Sequence, residues 1–198
     1  MSSKWQVHYS TSLLLLFYML SGRFADYMIL VLSLFLHECG HFIAAKLARV
    51  DVVSVRFFIY GAEMRFRSAI ISPNKQLVIA IGGPLATILV LLLFSGQNES
   101  YMPIVEMQKM LLLINLCPVW PLDGGRVVRA FIEHFFLHSQ IVLLYLKISL
   151  GLSLLFIVLS FIWLNPFFAL LWGVVCQQIW VELKNYALYN AYRRIVLQ

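Results

Sequence analysis

The chain has 198 residues, of which 62% are hydrophobic and only 12% charged. A soluble domain carries about a quarter charged residues, so this composition excludes an ordinary soluble globule and points to a polytopic membrane protein. The net charge of +6 does not imply nucleic acid, because the basic residues are scattered between apolar segments rather than gathered in a stripe.

In chain order, six spans are predicted: about 8–21, 27–48, 76–95, 104–123, 141–164 and 166–183. The expected fold is therefore all-α, with six transmembrane helices. No convincing cleavage site follows the first apolar run, which reads as retained. The polar interval after the second span contains "VVSVRFFIYGAEMRFRS", whose β-branched and aromatic residues around Gly61 suggest a small β-hairpin in the 50–70 loop. Docking of this basic, aromatic segment on the membrane surface is the competing reading. Asp51 and Glu63 are expected to pair with Arg49, Arg56 or Arg65. The fourth span is broken at "CPVWPLDGG": Pro118 and Pro121 interrupt helical hydrogen bonding, and Gly124–Gly125 are expected to loosen the backbone. Broken backbone at membrane depth requires protein or a wet cavity around it, so a cavity is expected near Asp123. Residues 1–183 read as one membrane domain. Residues 184–198 read as a polar helical tail at the cytoplasmic surface, with no PDZ or CBS domain.

Charge sets the orientation. With six spans and a cytoplasmic N-terminus, 13 of the 15 Lys and Arg residues fall inside, leaving only Arg23 and Lys109 outside. That bias fits the positive-inside rule and places both termini in the cytoplasm. The odd set Cys39, Cys117 and Cys176 lies in apolar runs and suggests neither a disulfide framework nor a zinc knuckle.

The chemistry centres on "HECGH", with His37, Glu38 and His41 in the second span. Ionisable residues inside a membrane are costly and mark function when a partner exists. In H-E-x-x-H on a helix, the two histidines stand at i and i+4 on one face and can converge on one cation, with the glutamate beside it. One zinc ion suits two imidazoles plus a carboxylate, and leaves a position for water. Glu38 is then placed to act as general base and acid in hydrolysis of a peptide bond. The rival reading of these residues is hydrogen-bonded polar glue between helices. Asp123 is the leading candidate for the third ligand, as a lone carboxylate at the end of the broken span; its alternative role is a turn or helix cap before the glycines. His134 and His138 are also spaced i, i+4, but no glutamate sits between them in the motif position, and they read as interfacial.

These motifs carry a resemblance. "HECGH" together with "NLCPVWPLDGG" (Asn115 to Gly125) and the intervening "AIGGPLAT" (Ala80 to Thr87) resembles the site-2 proteases, intramembrane zinc metalloproteases. Size and span number are most similar to the sporulation factor IVFB subgroup, bacterial enzymes that process a membrane-associated sigma-factor precursor. The resemblance implies that His37, His41 and Asp123 ligate zinc, that Glu38 is the catalytic acid and base, and that Asn115 positions substrate or stabilises the oxyanion. It also implies regulated proteolysis of a membrane-associated protein in a bacterial cell membrane, with inhibitory membrane partners. Two departures from the subgroup stand out: no CBS domain is expected, and Trp120 occupies a position where proline is common. Gly82, Gly83 and Pro84 read chiefly as close helix packing. A metal transporter or a metal-binding membrane scaffold is the alternative class; a transporter would need a chain of His, Asp or Glu through several spans.

Overall fold

The structure is a computed structural model that describes residues 5–7, 15–16, 18–58, 61–67, 71–96, 98–136, 139–162 and 166–196. It divides into two compact units, Met1–Asn115 and Leu116–Gln198.

The first unit holds β1 (Trp5–Val7), α1 (Phe24–Leu47), β2 (Val52–Phe58), β3 (Gly61–Phe66), α2 (Pro73–Phe94) and α3 (Met102–Asn115). Helix α1 carries Asp26 in its first turn and Lys46 in its last, each favourable to the helix dipole. It ends at Leu47; Arg49, just beyond, takes a left-handed φ of 55°, and the Val50 N–H donates back to the Ala45 carbonyl at 2.9 Å. Helix α2 starts with Pro73, whose missing N–H costs nothing in the first turn.

The two helices meet backbone to backbone. A Cβ on Gly40 would collide with the Gly82 carbonyl, and one on Gly82 would lie 2.6 Å from both the Ala44 Cβ and the Gly40 oxygen. Small residues at this crossing are therefore a steric requirement, as expected for helices that associate without a hydrophobic driving force in lipid. The predicted hairpin is present: β2 pairs antiparallel with β3, with a register irregularity at Val52/Ser54. A third strand, not anticipated from sequence, joins it: β1 pairs in parallel with β2, matching Trp5 to Val55. Ala45, Val50 and Ile79 form a core that anchors the sheet to the adjoining helix ends, with Val52, Phe66 and Ile71 packed on it.

The second unit holds α4 (Asp123–Phe135), α5 (Ser139–Ile162) and α6 (Pro166–Val196), preceded by the irregular segment 116–122. The expected break is there: α3 stops at Asn115 and a new helix begins at Asp123. The glycines, however, do not loosen the chain. Gly124 and Gly125 are helical, and a Cβ on either would strike the carbonyls of Leu116, Cys117 or Val119. They let the first turn of α4 lie directly on the preceding loop. Helices α5 and α6 pack through small residues, with Ser149 and Ser153 fully buried and Ser153 Oγ 2.9 Å from Cys176 Sγ. The Phe156 and Trp172 rings stack at 4.4 Å.

Among the described residues, three helices are long and apolar enough to cross a membrane: Phe24–Leu47, Pro73–Phe94 and Gln140–Ile162. At 24 residues, α1 is about 36 Å long, enough for a hydrocarbon core of about 30 Å. Large apolar side chains such as Leu89, Leu92 and Leu93 on α2 and Ile148 and Leu155 on α5 are exposed, as they would be towards lipid. The other three predicted spans have a different status. Most of 8–21 lies outside the described residues; 104–123 is a helix of 14 residues followed by the loop; and 166–183 is the first part of a 31-residue helix.

Candidate metal centre

His37 and His41 are both buried on the face of α1 that meets α2. Their Nε2 atoms lie 3.2 Å apart and their rings are nearly perpendicular, at 85°. Two imidazole ligands of a tetrahedral zinc, each about 2.0–2.1 Å from the metal, would be about 3.3 Å apart. The pair already has that spacing.

Helix α2 fixes the far side of each ring. His41 Nδ1 lies 2.7 Å from the Ile79 carbonyl oxygen. A carbonyl can only accept, so this nitrogen carries the proton and Nε2 presents its lone pair. The Gly83 N–H, 3.2 Å from the same Nδ1, is then a close neighbour and not a donor to it. His37 Nδ1 lies 2.9 Å from Thr87 Oγ1. The hydroxyl accepts from Nδ1 when Nε2 is turned to a cation, because a metal-bound imidazole keeps its proton on the other nitrogen. Gly83 completes the pocket wall: a Cβ there would strike His41 Nε2 and lie 2.6 Å from His37 Nε2. Glycine thus keeps open the space in front of both lone pairs. Residues 79, 83 and 87 follow an i, i+4, i+8 rhythm on one face of α2.

Asp123 is the first residue of α4 and only 4% exposed. His37 and His41 belong to the first unit and Asp123 to the second. Two neutral imidazoles and one carboxylate make a donor set that fits Zn2+. Glu38 is half-buried on α1, next to His37 in the chain.

The remaining candidates lie elsewhere. Asn115 closes α3, and its Nδ2 donates to the Leu111 carbonyl at 3.0 Å, which leaves one amide N–H for another acceptor. His134 is exposed near the end of α4 and stands edge-on to Phe135 at 4.8 Å; His138 is outside the described residues. Asp51 is 4.0 Å from Arg67, an exposed pair and not one of those expected, and the Glu63 side chain is outside the described residues. The three cysteines are half-buried and form no disulfide. Thr87, the Ile79 carbonyl and Gly83 had not been assigned to the site. A hydroxyl or carbonyl that supports a histidine 38 to 50 residues away leaves no local pattern. A cavity of about 250 Å³ opens beside the last turn of α1, lined by Phe42, Lys46 and the stretch from Val50 to Val55.

Comparison with known proteins finds several similar to this chain. Residues 26–101 match the model described as Peptidase family M50. The match covers most of α1 and all of α2, and with them both histidines and their supports. Among similar proteins, Rip3 of Mycobacterium tuberculosis is 30% identical over 116 residues, 52% of this chain and 30% of that protein. The zinc metalloprotease MJ0392 of Methanocaldococcus jannaschii is 26% identical over 149 residues, 70% of this chain and 43% of that protein. Both have zinc metalloprotease in their names, and this chain spans less than half the length of either. A solved site-2 protease from Methanocaldococcus jannaschii shares the fold, with a TM-score of 0.71 and 22% identity over 90% of this chain and 89% of that one.

Proposed function

We propose that this chain is an intramembrane zinc endopeptidase that cleaves a membrane-associated protein. The observation that carries the reading is the spacing of the His37 and His41 Nε2 atoms, 3.2 Å apart with both Nδ1 atoms engaged on the far side. His37, His41 and Asp123 would hold the metal, which when bound would supply Lewis-acid activation of water and polarisation of the scissile carbonyl.

Glu38 takes the proton from the attacking water and passes it to the leaving amine. Asn115 offers its remaining amide N–H to the substrate carbonyl as negative charge develops there. A substrate helix hides its carbonyls in its own hydrogen bonds, so it must unwind before attack. The sheet offers the unwound stretch a template. Strand β2 is paired on both edges over Val55–Phe57, so β1 and β3 form the edges, and the longer β3 offers its outer edge for strand addition.

The topology belongs to the same proposal. Pairing of β1 with β2 supports an N-terminus on the same side as the 50–70 loop, hence an even number of crossings between them. The charge bias places that side in the cytoplasm, in a bacterial cell membrane, with six spans in all and residues 184–198 as a cytoplasmic extension. Resemblance to the sporulation factor IVFB subgroup extends the reading to release of a sigma factor from its precursor, under control by inhibitory membrane proteins.

The deciding experiment co-expresses the protein with membrane-tethered transcription-factor precursors and compares wild type with Glu38→Gln. Cleavage is expected from the wild type alone, with a rate at least about 100-fold lower for the variant at unchanged zinc content. Equal cleavage by both would remove Glu38 from the chemistry. Asp123→Ala should sharply lower bound zinc, and unchanged stoichiometry would exclude it as a ligand. Metal uptake by proteoliposomes without peptide cleavage would favour a transporter instead.

A further inference from the structure

Three residues after Trp120 comes Asp123, and six residues after Asp123 comes Arg129, one of the most fully engaged side chains of the second unit. Arg129 Nε lies 2.7 Å from Glu133 Oε1, and Nη1 lies 2.6 Å from Glu182 Oε1. Its Cζ sits 4.6 Å from the centre of the Trp120 ring and 5.8 Å from that of Tyr186. The guanidinium is therefore bonded at its edge to two carboxylates and covered on its face by an indole, with only 16% of the side chain exposed. Burial alone would lower its pKa, but the hydrogen bonds it donates to Glu133 and Glu182 outweigh that and hold the group charged.

These partners come from three segments: Glu133 from α4 itself, Trp120 from the loop before it, and Glu182 and Tyr186 from α6. Arg129 thereby ties both flanks of Asp123, the loop that leads in and the helix that leads out, to α6. The rest of the segment is held in the same direction. Arg126 Nε donates to the Pro121 carbonyl at 3.0 Å, and the Tyr145 hydroxyl donates to Gly125 O at 2.9 Å.

We propose that Arg129, clamped between Trp120 and Glu182, is a positioning residue that fixes where α4 begins and so sets how tightly Asp123 holds the metal. The proposal rests on Asp123 being a ligand. It also gives Trp120 a reason to depart from proline: an indole face covers the guanidinium, and a pyrrolidine ring offers no π-face. Lysine cannot substitute, because it lacks the planar fork that bonds two carboxylates while stacked. The proposal assigns α6 a part in metal binding although no residue of α6 is itself a ligand.

The test measures zinc affinity of the full chain in detergent by competition with a chelator, alongside helicity by circular dichroism. Arg129→Gln is expected to weaken zinc about 10- to 100-fold, the usual scale for losing support behind a ligand, while helicity is retained. Arg129→Lys should recover little of that loss. Glu182→Gln should weaken zinc less than Arg129→Gln does, and the double variant should be no worse than Arg129→Gln alone, since both remove one clamp. A folded Arg129→Gln protein with zinc affinity within twofold of wild type overturns the proposal. Should Arg129→Gln not fold, Trp120→Leu decides. It leaves both ion pairs in place and is expected to weaken zinc several-fold; an effect below twofold overturns the proposal. Asp123→Ala is the control that separates the two ideas. Full zinc affinity in that variant removes the ligand assignment and the clamp with it. Lost affinity in Asp123→Ala beside normal affinity in folded Arg129→Gln removes the clamp alone.

Discussion

His37 Nδ1 and Thr87 Oγ1 stand 2.9 Å apart, joining two helices across 50 residues of sequence. The contact orients the ring so that Nε2 points into the space shared with His41. Thr87→Val keeps the shape and removes the acceptor. Zinc affinity, measured by chelator competition, is expected to fall about 10- to 100-fold, with Thr87→Ser close to wild type. Equal affinity for all three would show that packing alone holds the ring.

Gly83→Ala tests the pocket from the opposite side. The added methyl would occupy the space before both Nε2 atoms, so bound zinc should fall well below one equivalent while the helices still form. Gly40→Ala, at the contact with Gly82, should act differently. It overpacks the crossing and should cost about 1–3 kcal/mol of stability, read as a lower melting temperature. Removing zinc from the wild type with a chelator should also lower the melting temperature, because the metal binds only the folded state.

Tyr145 bridges α5 to the start of α4, donating to Gly125 O at 2.9 Å with Pro118 O at 3.4 Å. Tyr145→Phe removes one hydroxyl and leaves the ring in its core with Val142 and Leu146. Stability measured by thermal melting should fall by about 0.5–1.5 kcal/mol.

Gln108 is 1% exposed on α3, and its Oε1 has no hydrogen-bond partner among the described residues. An unmet buried acceptor is costly, so Gln108→Met, similar in length and apolar, should leave the melting temperature unchanged or raise it. A drop of several degrees would show that this oxygen has a partner such as a bound water.

The legible parts of this protein were those written in local spacing. His37 and His41, four residues apart on a helix, declare a shared face without any knowledge of the fold. The hairpin shows in the alternation around Gly61, and the break after Asn115 shows in its prolines. What escaped was tertiary or too short to carry a pattern. Strand β1 has three residues and exists only because β2 is beside it. Thr87 looks like any small residue of an apolar helix until α2 is laid against α1. Gly124 and Gly125 suggested slack, yet close approach of the loop demands them as packing residues. Of the six predicted spans, three match helices long enough to cross a membrane, and the fourth, expected to be broken, is a 14-residue helix followed by a loop.

The contact of Gly40 with Gly82 has a consequence for movement. Two helices that touch through their main chains cannot roll or slide past one another without collision. The imidazole pair on α1 and its supports on α2 therefore travel as a single rigid body. Under the proposed function, admission of a bulky polypeptide would have to come from displacement of other segments, and a mutation that loosens this crossing would disturb the histidine pair before it widened the door.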